Sequence, residues 1–130
     1  MKFIIEADNI NISIILKDDD GSRISHCKIS TNNTSWSITE WYTTHNYMHQ
    51  GYGKIVLRKA VQELIKRGKP TEIRYVWNGA NEYVMNWLIK HFDPVSILPL
   101  AVQKVTQEES WESHIYVLNK EKFLRYFLND

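Results

Sequence analysis

The chain lacks most of what would give its purpose away in bulk. It has one cysteine, Cys27, so no internal disulfide can form, and a reducing compartment is the expectation. No apolar run approaches the roughly 20 residues of a membrane-crossing helix. The opening residues Met1-Lys2-Phe3-Ile4-Ile5-Glu6 are too soon interrupted by charge for a secretory signal, so a cytoplasmic protein with no membrane partner is expected. Charge of one sign is missing too. A formal net charge of +1 argues against a dedicated nucleic-acid binder, which carries a basic excess. There is no repeat, no low-complexity tract and no linker. What remains is 130 residues at 43% hydrophobic and 24% charged, enough for one globular domain spanning 1–130.

Periodicity changes character midway. Residues 2–7, 11–17, 23–30 and 35–44 read as strands, with Asp18-Asp19-Asp20-Gly21 and Asn32-Asn33 as turns. An unbroken alternation puts Trp36, Ile38, Glu40 and Tyr42 of the fourth run on one face. From Lys54 to Arg67, Val56, Leu57, Ala60, Val61 and Leu64 fall at helical spacing, and Gly68 and Pro70 end that helix. Residues 72–77 read as a buried strand, 81–91 as a second helix closed by Asp93-Pro94, 95–104 and 111–118 as further strands, and 119–128 as a short terminal helix. The order predicts an α/β fold: a mixed, mostly antiparallel central sheet with two main helices and a short C-terminal one.

Chemistry concentrates at Tyr47-Met48-His49-Gln50-Gly51-Tyr52-Gly53-Lys54, between a strand and a helix. Two glycines strip side chains from the loop where the helix dipole begins, which makes a phosphate cradle. It is not a P-loop, because Met48 stands at the first glycine position and Ile55 follows Lys54 where Ser or Thr is required. It is not a dinucleotide fingerprint, because the third glycine is Val56. Other clusters carry less. His45 and His49 lack a third ligand, so no metal site is expected. The Asp18–Asp20 run lacks the spacing of a calcium loop, and Cys27 reads as a core residue. Residues 54–74 carry seven basic and two acidic side chains, ordinarily a solvated helix face, though Lys54 and Arg58 share a side near the loop.

The loop resembles the central motif of the GNAT superfamily of N-acetyltransferases, Gln/Arg-x-x-Gly-x-Gly/Ala, whose slots are filled here from Met48 to Gly53. Val76-Trp77-Asn78 and the helix ending His91-Phe92 match a second family landmark, so the resemblance spans roughly residues 35–104. It implies acetyl-coenzyme A as co-substrate and direct transfer of the acetyl group to an amine acceptor, small or on a protein. Carried onto this chain, it implies that Trp41, Tyr42 and Thr43 meet the pantetheine arm. His49, Gln50, Gly51, Tyr52, Gly53 and Lys54 would meet the diphosphate, with Asn78 and Asn81 near the cofactor; as residues, these two asparagines read first as helix caps. Glu40 is the candidate base and Tyr83 the candidate acid. By position the family's tyrosine falls at Trp87. Three departures stand out: Met48 for Gln/Arg, His91 for a helix-ending glycine, and no room in residues 1–35 for the family's first two helices. An open acceptor groove follows, and so does a rival reading, a GNAT-fold binding protein without catalysis. The open sheet and exposed aromatics also make a homodimer an expectation.

Overall fold

The structure is a computed structural model that describes residues 1–32, 34–77, 82–96 and 114–128. Strands β1 (Lys2–Ala7), β2 (Asn11–Lys17), β3 (Arg23–Asn32) and β4 (Ser35–Thr43) form an antiparallel meander. A single 3-10 turn at His45–Tyr47 leads into helix α1 (Tyr52–Ile65). The crossover through α1 brings β5 (Glu72–Trp77) parallel to β4, the one parallel pairing among the described strands. Helix α2 (Glu82–Phe92), strands β6 (Val95–Ser96) and β7 (His114–Val117) and helix α3 (Lys120–Leu128) complete the order, and the sheet runs β1-β2-β3-β4-β5-β7-β6. The rest of the two late strands expected at 95–104 and 111–118 lies outside the described residues.

The core lies on one side of this sheet. Ile12 and Ile14 of β2 sit opposite Ile29 and Cys27 of β3, and all four are buried. The apolar stripe of α1, from Val56 to Leu64, covers them, and Cys27 Sγ approaches the Val56 carbonyl at 3.5 Å. Helix α3 packs Phe123 and Phe127, both fully buried, across α1 and α2. Each such aromatic contributes on the order of 2 kcal/mol through burial alone. Helix α2 ends where Asp93 takes a left-handed conformation (φ 45°), the position a glycine more often holds. The opposite face of the sheet carries His26, Lys28, Glu40 and Tyr42, and no described helix lies on it. The chain thus spends residues 1–32 on three strands, as the lack of room for two early helices implied.

Candidate functional site

Strand β4 has two halves. From Ser35 to Ile38 it pairs with β5, the last pair being Ile38 with Tyr75. Beyond Ile38 the two strands part. Thr39 to Thr43 keep β3 on one edge and have no β5 partner on the other. The break coincides with a bulge: Lys28 faces Glu40 while Ile29 faces Ile38, which leaves Thr39 as the extra residue. The bulge corrects the expected alternation. Trp41 and Thr43 lie opposite Cys27 and Ser25 and join Trp36 and Ile38 on the helix-covered side, while Glu40 and Tyr42 lie opposite Lys28 and His26 on the open side.

Helix α1 starts against the freed half of β4. The Trp41 indole donates to the Gly53 carbonyl at 2.8 Å. A Cβ on Gly53 would lie 3.3 Å from Thr43 Oγ1 and 3.4 Å from Trp41 Nε1, so glycine permits this close approach. The preceding loop contains two left-handed residues, His49 (φ 62°) and Gly51 (φ 89°). Alternation of this kind lines a concavity with successive amides. The first bond of the helix runs from Ile55 N–H to the Gly51 carbonyl. Among the described residues, the N–H groups of His49 through Lys54 have no acceptor. Six consecutive donors at the positive end of a helix dipole suit an anion.

A cavity of about 170 Å³ opens at this junction. Trp41, Tyr42 and Thr43 form its strand wall; His49, Gly51, Tyr52, Gly53 and Lys54 form its helix wall; Tyr83, Val84 and Trp87 of α2 close the third side. Tyr47 and Met48 complete the rim. Of the residues singled out in sequence, Gln50, Glu40 and Arg58 do not line it. The Gln50 side chain turns back to the Asn46 carbonyl at 3.3 Å. Asn78 and Asn81 lie outside the described residues. Tyr83 is 56% exposed and sets its ring edge-on against His49 at 4.5 Å. Trp87 is packed between Trp41, Phe92 and Tyr126, and Lys54 Nζ lies 5.3 Å from its ring. That cation–π contact holds the ammonium against the α2 wall of the cavity.

Glu40 stands on the other side of the sheet, at the point where the strands part. Its carboxylate lies 3.8 Å from His26 Nε2 and 3.9 Å from Lys28 Nζ. His26 also meets the Tyr42 ring at 5.8 Å. Burial holds the His26 imidazole below its ordinary pKa, Arg23 acts in the same direction, and Glu40 opposes them.

Tyr47 shows what spacing could not. Its hydroxyl donates to Asp18 Oδ2 at 2.7 Å, which ties the loop before α1 to the β2–β3 turn. The Asp18 carboxyl is held down to about 2 by the Asp20 side chain first, then by the Tyr47 hydroxyl, and it also accepts from the Ser22 and Asp20 amides. The two residues are 29 positions apart, and nothing in the local pattern of either marks the pairing.

No protein-family model matches the sequence, and no curated protein sequence matches it. Solved structures do. Nourseothricin acetyltransferase superposes with a TM-score of 0.69 at 14% identity over 85% of this chain, which spans 65% of that protein's length. The spermidine/spermine N-acetyltransferase SpeG from Vibrio cholerae gives 0.63 at 12% identity, over 92% of this chain and 70% of that one. The ribosomal-protein-S18-alanine N-acetyltransferase from Escherichia coli gives 0.59 at 13%, over 86% and 69%. The fold is that of the GNAT N-acetyltransferases. Among the described residues, no helix is long and apolar enough to cross a membrane.

Proposed function

We propose that this protein is an N-acyltransferase that takes an acetyl group from acetyl-coenzyme A. The observation that carries this reading is the parting of β4 from β5 directly beside six acceptor-free amides at the start of α1. Either feature alone is common. Together they offer an anion cradle and, packed against it through the Trp41–Gly53 bond, an unpaired strand edge able to hydrogen-bond an extended amide-bearing ligand.

When bound, the coenzyme supplies a thioester already activated toward amines. The loop amides from His49 to Lys54 and the Lys54 ammonium hold its diphosphate. The free edge of β4 aligns the amide-bearing arm past Trp41, Tyr42 and Thr43, and an N–H on that edge stabilises the oxyanion of the tetrahedral intermediate. The acceptor amine enters from the open face, where Glu40 takes its proton. Tyr83, on the cavity wall, returns a proton to the departing sulfur. Two of the similar structures are named for amine substrates, spermidine and a ribosomal-protein alanine. With no described helix on this face, a bulky amine, including one on a protein, has room to approach.

Calorimetric titration with acetyl-coenzyme A tests the reading. Wild type binds, and Gly51→Glu weakens binding at least tenfold, because the new carboxylate repels the diphosphate and a side chain at φ 89° strains the loop that presents the amides. Failure of wild type to bind overturns the proposal. Equal binding by both removes the loop from it. Glu40→Gln leaves binding intact and slows transfer on the order of 10²-fold. Binding without thiol release on any amine in a broad panel selects the non-catalytic alternative.

A further inference from the structure

Strand β1 ends the sheet. One edge is bonded to β2 in an unbroken register from Lys2–Lys17 to Ala7–Ile12, and among the described residues nothing pairs with the other. Edge strands of monomers are ordinarily short, bulged, interrupted by proline or studded with charge. This one runs six residues with none of the first three devices, and its centre is Phe3-Ile4-Ile5. Phe3 and Ile5 are 39% and 44% exposed on the helix-covered side.

From this edge we infer that β1 pairs antiparallel with β1 of a second copy, about a two-fold axis through Ile4. The sequence Lys2-Phe3-Ile4-Ile5-Glu6 is complementary to its own reverse. Centred on Ile4, the pairing sets Lys2 against Glu6 of the other copy, Phe3 against Ile5, and Ile4 against itself. No other two-fold register brings Lys2 opposite Glu6. Shifting by one position puts Glu6 against Phe3 or leaves it unpaired; shifting by two sets Lys2 against Ile4, or Glu6 against Ile4. Within the single chain, Lys2 lies opposite Lys17, a like-charge pair across the strands. A carboxylate arriving from the second copy offsets that repulsion. Side-chain parity keeps both sets of helices on one side, so the two sheets become continuous and the catalytic junctions, three strands away on each copy, stay open.

Sedimentation velocity across a concentration series tests the pairing. Wild type sediments with twice 15.4 kDa at high concentration. Glu6→Lys opposes Lys2 with lysine across the axis and returns the mass to that of one chain. The exchange Lys2→Glu/Glu6→Lys restores the dimer. Glu6 lies on an exposed strand opposite Ser13, so circular dichroism of the single variant matches wild type. A wild type that is monomeric throughout overturns the inference. So does Glu6→Lys that still dimerises, or an exchange that fails to restore the dimer, because each breaks the register on which the pairing depends.

Discussion

From Ser35 to Ile38, β4 is clasped by neighbours on both edges; from Thr39 to Thr43 it keeps one. The first half buries Trp36 and Ile38 at 4% and 0% exposure, whereas Trp41, on the same face of the second half, is only partly buried. Nine consecutive residues therefore divide between a half paired on both edges and a half with one edge free, and the division falls at one extra residue, Thr39. Strand pairing satisfies backbone groups in the first half, while in the second those groups are left for something else to satisfy.

The largest effect that would break this contrast is at Ile38. Ile38→Ala costs about 3 kcal/mol in chemical denaturation, because the surrounding core can close the cavity only in part. Tyr42→Ala, four residues on, changes stability by less than about 0.5 kcal/mol and acts on transfer kinetics instead. Similar losses at both positions would show that the halves are not distinct. An intermediate effect belongs to Ser25. This buried hydroxyl donates to the Tyr42 carbonyl at 2.9 Å and lies 2.9 Å from Thr43 Oγ1, anchoring the end of the freed half to β3. Ser25→Ala costs about 1 kcal/mol in the same assay and weakens coenzyme binding as well, since it loosens the strand that lines the cavity. A stability loss with unchanged binding would mean the free edge does not depend on that anchor.

Much of this was readable before any coordinates. Helix and strand periods located β2, β5, α1 and α2 to within about two residues at either end, because each buries one regular stripe. The two-glycine loop marked the strand-to-helix junction for the same reason, a local pattern with a local cause. The bulge at Thr39 was not readable. It is set by the pairing of Lys28 with Glu40 across β3, and it reverses the faces of every residue after it. Alternation alone therefore put Glu40 and Tyr42 on the side of Trp36, whereas the structure puts Trp41 and Thr43 there. The Tyr47–Asp18 bond and the end of β4–β5 pairing share this character, being contacts between segments whose own sequences look ordinary.

The smallest effect sharpens the same boundary, since it asks whether Glu40 truly faces His26 across the open side. Burial and Arg23 lower the His26 pKa from its ordinary 6.5, and Glu40 raises it. The folded state then binds fewer protons at this site than the unfolded chain, so stability is full above about pH 6.5 and falls as pH drops through that value. His91, lowered by burial and by Lys90 and Lys54, adds a contribution of the same sign. His26→Gln makes the loss between pH 7.5 and 5.5 shallower without abolishing it. Glu40→Gln removes the influence that raises the His26 pKa and makes the loss steeper, while the His26 imidazole resonances titrate at lower pH than in wild type. An imidazole whose titration stays put, or moves upward, in Glu40→Gln would place Glu40 away from His26, and the bulge that carries it to the open side would fall with it.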